Sequence, residues 1–302
     1  MMKKIFIVGL IACSFFVVSI SSVVAAPETH TITDTTGDVI DSSGTPVSGK
    51  NYLDIKEVSC TRDGKSVELK LVLVNGGKIQ NSDIIFYAIS LVTSENRYDI
   101  YYNNNSCSVS DLEQNEIGDA NYSGGGTDTL KVSFNLSSID EKYIFVYAST
   151  YEETEDESYA DSVPSYEEIP IVYATMPSID LMVGKSLDFV ADMEGGTPSY
   201  TWKWDFGDGN TSNIQNTTHV YAKAGTYKVV VLLTDKNGHA DIYYENLDIT
   251  ASSTPDGGDH NNTNNDNGNQ GSSSNSGLLL FVAIIAVIVI AGVAIVVYII
   301  RR

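Results

Sequence analysis

Catalytic signatures are missing from this sequence. It holds four histidines (His30, His219, His239 and His260), none in a His-Glu-x-x-His pattern. It has no Gly-x-Ser-x-Gly, no Walker loop and no Cys-x-x-Cys. Proline is scarce, with seven residues, and cysteine scarcer, with three. Outside the two ends, no long segment shows a 3.6-residue apolar period, so amphipathic helices are not expected. Positive charge is also short, with 18 Lys and Arg against 39 Asp and Glu. Four of the basic residues, Lys3, Lys4, Arg301 and Arg302, lie at the extreme ends, which leaves 14 against 39, or −25, between them. Such a body repels phosphates, and a nucleic-acid partner is not expected. A paired-carboxylate glycosidase is the one catalytic option so many acids leave open, but no large α/β scaffold accompanies them. The expectation is a protein that is not an enzyme and has no cofactor, with Ca²⁺ as the one ion to consider.

What is present is apolar sequence at both ends. Lys3-Lys4, an apolar run from Ile5 to about Ile20 and the small residues Ser21 to Ala26 read as a secretory signal peptide over 1–26. Cys13 reads as an ordinary residue of that run. Residues 278–300 contain no charge and no proline. As a helix they would be ~35 Å long, enough for a ~30 Å hydrocarbon core. Arg301 and Arg302 then place the two-residue tail, 301–302, in the cytoplasm and everything before the span outside. Residues 251–276, rich in Asn, Gly and Ser, read as a disordered stalk. The expected partner at this end is the cell's own lipid bilayer, and the expected location a single-pass cell membrane protein with its body outside.

Between the ends, Tyr, Val, Ile and Thr recur in short alternating runs, as strands prefer. Tyr200, Trp202, Trp204 and Phe206 fall on one face of one strand, Tyr227 to Leu233 forms another, and Leu187 to Ala191 a third. Gly195-Gly196-Thr197-Pro198, Gly207-Asp208-Gly209-Asn210 and Asp235-Lys236-Asn237-Gly238 are turns. About seven strands with turns every 8–12 residues argue for an aligned β-sandwich over 177–250. Further upstream, Val67, Leu69, Leu71 and Leu73 share one strand face, and strands at 52–60, 84–93, 98–102, 130–136 and 143–150 give a second sandwich over 27–170.

Trp204-Asp205-Phe206-Gly207-Asp208-Gly209, with His219-Val220-Tyr221 and Ala224-Gly225-Thr226-Tyr227 after it, resembles the PKD domain. The resemblance implies an immunoglobulin-like sandwich used outside cells for adhesion, spacing or substrate contact. Asp205 and Asp208 read as turn residues, with Ca²⁺ ligation as the alternative. The order Asp34-Thr35-Thr36-Gly37-Asp38-Val39, Tyr52-Leu53-Asp54-Ile55 and Asp63-Gly64 resembles the DOMON and family-9 carbohydrate-binding-module sandwiches, also found in archaeal membrane-anchored surface proteins. That resemblance implies recognition of a glycan, haem or similar exported ligand, and no ligand residue carries over.

The fold expected is therefore all-β: two consecutive sandwiches, a distal one and a PKD/immunoglobulin-like one, with a signal peptide before them and a transmembrane α-helix after. Asp34, Asp38 and Asp41 form one acidic cluster with Ca²⁺-ligating potential, and Glu152, Glu153, Glu155, Asp156 and Glu157 another. Cys60 and Cys107 are candidates for a disulfide, with two free buried thiols as the alternative. Asn104, Asn121, Asn135, Asn210, Asn216 and Asn261 head Asn-x-Ser/Thr sequons. Tyr98, Tyr101 and Tyr102 are the aromatic row to inspect for ligand contact. The function expected is binding or adhesion toward a glycan, an envelope protein or a neighbouring cell, with a structural envelope spacer as the alternative.

Overall fold

A computed structural model describes residues 27–251. The expected signal peptide, stalk, membrane span and tail, and Asn261, lie outside the described residues. Within them, eighteen strands and a single 3₁₀ turn make up the regular structure. No helix among the described residues is long and apolar enough to cross a membrane.

The N-terminal half holds eleven strands: β1 (Glu28–Thr33), β2 (Ile40–Asp41), β3 (Ile55–Asp63), β4 (Ser66–Leu73), β5 (Ile85–Thr93), β6 (Arg97–Asn103), β7 (Ser106–Ser110), β8 (Asn121–Ser123), β9 (Thr129–Asn135), β10 (Tyr143–Glu153) and β11 (Ser158–Val163). One sheet runs β1-β3-β4-β9-β8 and the other β2-β11-β10-β5-β6-β7. The alternation in β4 is obeyed: Val67, Leu69, Leu71 and Leu73 are all sealed while the residues between them are not. They pack with Ile89, Ile100, Val132 and Val146 from both sheets. Asp63-Gly64 turns the β3–β4 hairpin with Gly64 at φ +61°, a left-handed backbone that glycine adopts freely.

After the 3₁₀ turn (Tyr166–Glu168) come β12 (Ile171–Thr175), β13 (Ser186–Glu194), β14 (Thr201–Asp205), β15 (Thr211–Ser212), β16 (Thr217–Val220), β17 (Gly225–Thr234) and β18 (Ala240–Ile249). They make a three-stranded sheet, β12-β13-β16, and a four-stranded sheet, β15-β14-β17-β18. β12 lies ahead of residue 177 yet pairs with β13 over five residues, and Val172 enters the second core. Trp204 is fully buried at the centre of that core, edge-on to Phe189 at 5.7 Å. Its indole N–H donates to the Gln215 carbonyl (3.1 Å). At the last residues of the sheet, Thr250 bridges Met182 in parallel. Its N–H donates to Leu181 O (2.8 Å), and its carbonyl accepts from Val183 N–H (2.9 Å).

The two halves share a third apolar cluster. Val92, Leu112 and Phe145 from the first meet Leu232, Ala240 and Ile242 from the second, with Ile169 between. Arg97 on β6 spans this junction. Its Nε donates to Asp99 (3.0 Å) and its guanidinium NH1 to Asp241 on β18 (2.9 Å). All three side chains are nearly closed to solvent. The other oxygens are committed: Asp99 accepts from the Ser90 hydroxyl (2.7 Å) and Asp241 from the Val172 N–H (3.0 Å). The two neighbouring carboxylates hold the Arg97 pKa well above its ordinary value, against the opposing effect of burial. Lys228–Glu113 and the His239–Glu168 carbonyl contact add polar links at the rim.

Candidate functional site

The segment between β1 and β2 crosses from one sheet of the N-terminal sandwich to the other. β1 pairs with β3 in the first sheet, and β2 pairs with β11 in the second. Asp34 follows β1 directly, and Gly37 (φ +86°) turns the chain so that Asp38 and Val39 face inward, with Val39 in the core. Asp54 precedes β3, and Asp161 sits on β11, on the inward face it shares with Val163.

One carboxylate oxygen each from Asp34, Asp38 and Asp161 lies within 4.8 Å of the others. Asp54 lies beside this set without belonging to it; the Gly37 N–H from the crossover donates to its Oδ2 (2.8 Å). Asp161 has both oxygens engaged, Oδ2 by Ile55 N–H (2.7 Å) and Oδ1 by Ser162 N–H (2.8 Å). Three oxygens have no hydrogen-bond partner although solvent does not reach them: Asp34 Oδ2, Asp38 Oδ1 and Asp54 Oδ1. None of the four residues is ion-paired with a Lys, Arg or His among the described residues.

The electrostatics follow from this crowding. Burial raises the Asp34 pKa to about 7; the Thr35 N–H opposes the rise, and the charges of Asp38, Asp54 and Glu168 add to it. Burial raises Asp161 to about 8; the Ile55 N–H opposes it and the charges of Asp34 and Asp38 add to it. Asp38 and Asp54 are raised as well, in each case chiefly by burial. A carboxylate loses hydration on burial and here gains no cation in exchange.

The expected acidic cluster is thus corrected in membership. Asp41 turns into its own loop, where Oδ1 accepts from Ser43 N–H (2.8 Å), the Ser43 hydroxyl (2.6 Å) and Thr45 N–H (2.9 Å). The second expected cluster does not assemble. Glu152 is buried against Lys50 (2.5 Å) and the Tyr52 hydroxyl (3.0 Å), while Glu153, Glu155, Asp156 and Glu157 stay exposed around the β10–β11 hairpin. The disulfide is not formed, and both thiols are free. Cys60 is sealed on β3, inside the first sheet, while Cys107 sits on β7, the last strand of the second. Burial pushes the Cys60 thiol up to about 12, against the Arg62 charge, and the Cys107 thiol up to about 11.

The tyrosine row is core rather than surface. Tyr98 and Tyr102 are fully buried, with hydroxyls bonded to Glu141 (2.9 Å) and Asn81 (2.7 Å). Tyr101 is half-buried on the other face of β6. Asn104, Asn121, Asn135, Asn210 and Asn216 are exposed. Two open, polar clefts lie on the surface. One of about 270 Å³ lies at the junction of the halves, where Glu95, Asp111, Glu113, Glu141 and Lys228 are among its lining residues.

In the second sandwich, Asp205 and Asp208 act on their own turn. Asp205 accepts from Gly207 N–H (2.9 Å), and Asp208 from Asn210 N–H (3.0 Å). Asp208 Oδ2 also meets His219 Nε2 (2.9 Å), whose ring stacks on Phe206 with centroids 4.1 Å apart. Gly207 has φ +76°, and a Cβ there would lie 2.6 Å from the Lys228 carbonyl oxygen, so this turn requires glycine. The Tyr221 hydroxyl donates to the Phe206 carbonyl (3.0 Å), Tyr227 stacks on Tyr221 (4.3 Å), Gly225 lies against the Tyr227 ring, and Gly209 follows Asp208 in the turn at φ +90°.

The family comparison agrees with this geometry in the second sandwich. A family model described as the PKD domain matches residues 168–251. A pre-pro-metalloprotease, PrtV, of Vibrio cholerae is 37% identical over 59 residues, which are 20% of this chain and 6% of that protein. Collagenase ColQ1 of Bacillus cereus is 47% identical over 47 residues, 16% of this chain and 5% of that protein. The chain therefore spans about a twentieth of the length of these curated relatives. The crystal structure of the PKD1 domain of the Vibrio cholerae metalloprotease PrtV is 26% identical, with 27% of this chain and 96% of that one covered and a TM-score of 0.24. An amphioxus IgVJ-C2 molecule is 17% identical over 62% of this chain and 97% of its own, with a TM-score of 0.21. Residues 168–251 of this chain are a PKD domain.

Proposed function

We propose that this chain is a single-pass cell-surface protein whose two sandwiches work outside the cell as a non-enzymatic binding or adhesion unit. The observation that carries the reading is the buried junction. Arg97, Asp99 and Asp241, with the apolar cluster around Phe145 and Ile242, fasten the N-terminal sandwich onto the PKD domain. The PKD domain thereby acts as a rigid mount and the N-terminal sandwich as what it presents. The apolar run 278–300 with Arg301 and Arg302, and the leader-like 1–26, support a tether with the body outside. A glycan, an envelope protein or a neighbouring cell is the class of target. The structural-spacer reading gains from one observation: Tyr98 and Tyr102 are core residues, so they form no stacking platform for a sugar.

Protease treatment of intact cells expressing the chain with a C-terminal epitope tests the topology. The body should be lost while the tagged end stays in the membrane fraction. Full protection of the body would overturn it. Binding is tested with the purified full chain in detergent, against cell-envelope polysaccharides and envelope protein extracts. Absence of binding to all of them would leave the spacer.

A further inference from the structure

We infer that Asp34, Asp38 and Asp161, with Asp54 beside them, form a binding site for a hard divalent cation, Ca²⁺, which clips the β1–β2 crossover to both sheets of the N-terminal sandwich. The inference does not depend on the tether, and its residues lie outside the PKD domain.

Three observations converge on a cation. The first is geometry. Two oxygens bound to one Ca²⁺ at ~2.4 Å are at most ~4.8 Å apart. Asp34, Asp38 and Asp161 each offer an oxygen within 4.8 Å of the other two. The second is the set of orphaned atoms. Asp54 is 6% exposed, yet only one of its oxygens is used, by Gly37 N–H. Its Oδ1, with Asp34 Oδ2 and Asp38 Oδ1, is closed to solvent and has no partner. Buried carboxylate oxygens normally have a hydrogen bond or a counter-ion, and these have neither. The third is composition. With three carboxylates and no histidine or cysteine, the donors suit an oxygen-seeking ion rather than zinc. An irregular cage of this kind suits Ca²⁺ better than Mg²⁺, which holds to near-octahedral geometry and keeps its waters.

The ligands are also well placed for a structural ion. Asp54 leads into β3 of one sheet, Asp161 lies on β11 of the other, and Asp34 and Asp38 belong to the crossover between them. The Ile55 N–H bond to Asp161 already ties β3 to β11 at this point. A cation would replace the mutual repulsion of these carboxylates with shared attraction.

The test is calorimetric titration of CaCl₂ into the full chain in detergent after EDTA treatment and dialysis, with thermal unfolding followed in parallel. One binding event is expected, with a dissociation constant of ~10⁻⁴–10⁻³ M or tighter. At about a hundredfold that concentration, the unfolding temperature should rise by about 5–10 °C. Asp34→Asn and Asp38→Asn keep the side-chain shape. Each should weaken binding at least about tenfold while raising the unfolding temperature of the EDTA-treated protein, because each removes a repelled charge. A ligand-lacking variant that merely damaged the fold would lower that temperature. Terbium, whose emission is sensitised by nearby tyrosine, gives a readout on the unmutated chain: emission should appear on Tb³⁺ addition and fall on Ca²⁺ addition. No heat, no thermal shift and no terbium emission in the unmutated chain would overturn the inference. So would undiminished binding in both variants, which would move the ion elsewhere, for instance to Asp205 and Asp208.

Discussion

Arg97 is the residue on which the union of the two sandwiches is most exposed to test. Its side chain is 12% exposed, and the Asp99 and Asp241 side chains are 8% and 9% exposed. Arg97→Met keeps the length of the side chain and removes its charge. Asp241 would retain only the Val172 N–H, and Asp99 only the Ser90 hydroxyl. Breaking a buried ion pair from one side costs about 3–5 kcal/mol, because it strands the opposite charge. For a unit of this size, each kcal/mol shifts the unfolding temperature by about 2–4 °C, so a fall of about 6–20 °C is expected. Because the loss is confined to the junction, differential scanning calorimetry should also show the unfolding peak broaden or split. The triple variant Arg97→Met, Asp99→Asn, Asp241→Asn removes the stranded charges and keeps the acceptors. It should regain more than half of the loss, since neutral replacement of a buried ion cluster is often tolerated. An Arg97→Met unfolding temperature within 1 °C or so of the original would refute the reasoning. A triple variant no better than the single one would refute the part assigned to stranded charge.

Two further outcomes follow from the sites described. The Asp208 carboxyl is held below its ordinary value: burial opposes its ionisation, but the Asn210 N–H and His219 favour it more strongly. Its contribution to stability is therefore complete above the unfolded carboxyl value, about 3.9, and is lost as pH falls through the lower folded value. Urea unfolding midpoints from pH 6 downward should show Asp208→Asn with a shallower acid slope than the original chain, and parallel curves would count against this. Cys60 and Cys107, both free and both raised by burial, should react slowly with iodoacetamide in the native protein at pH 8 and fully after denaturation without reductant. Mass mapping that found the two joined would contradict the structure.

The strands were legible in the sequence wherever one face is wet. Val67 to Leu73 and Trp202 to Phe206 alternate because water lies on one side of each strand, and the period survives in the residue order. The junction was not legible, because strands covered on both faces lose that signal. Ser90 to Thr93 and Ala240 to Ile242 are closed on every residue, and a charged Arg97 or Asp241 looks in sequence like a solvent-facing one. The carboxylate site was half legible. Asp34 and Asp38 stood out as neighbours, but Asp161 is more than 120 residues away in the chain and meets them only through the pairing of β2 with β11. Asp41 was a false member because its spacing fits equally well with capping its own loop. One local sign of Asp161 was available: a carboxylate two residues from Val163 on a strand, where alternation assigns both to the same inward face.

The end of β18 bears on what happens when the chain is pulled. A load applied at residue 251, toward the proposed tether, would reach the fold first at Thr250. Its two backbone hydrogen bonds, to Leu181 and from Val183, belong to a parallel pairing with the segment around Met182. Traction along that strand loads both bonds side by side in shear, whereas a hairpin end would peel open one bond at a time. Beyond them, β18 is held to β17 by ten successive residue pairs. Tension between a target gripped by the N-terminal sandwich and an anchored C-terminal end would thus enter the PKD domain through a shear clamp and leave it through the charged junction at Asp241, so the order in which those two yield would set how the molecule lengthens under force.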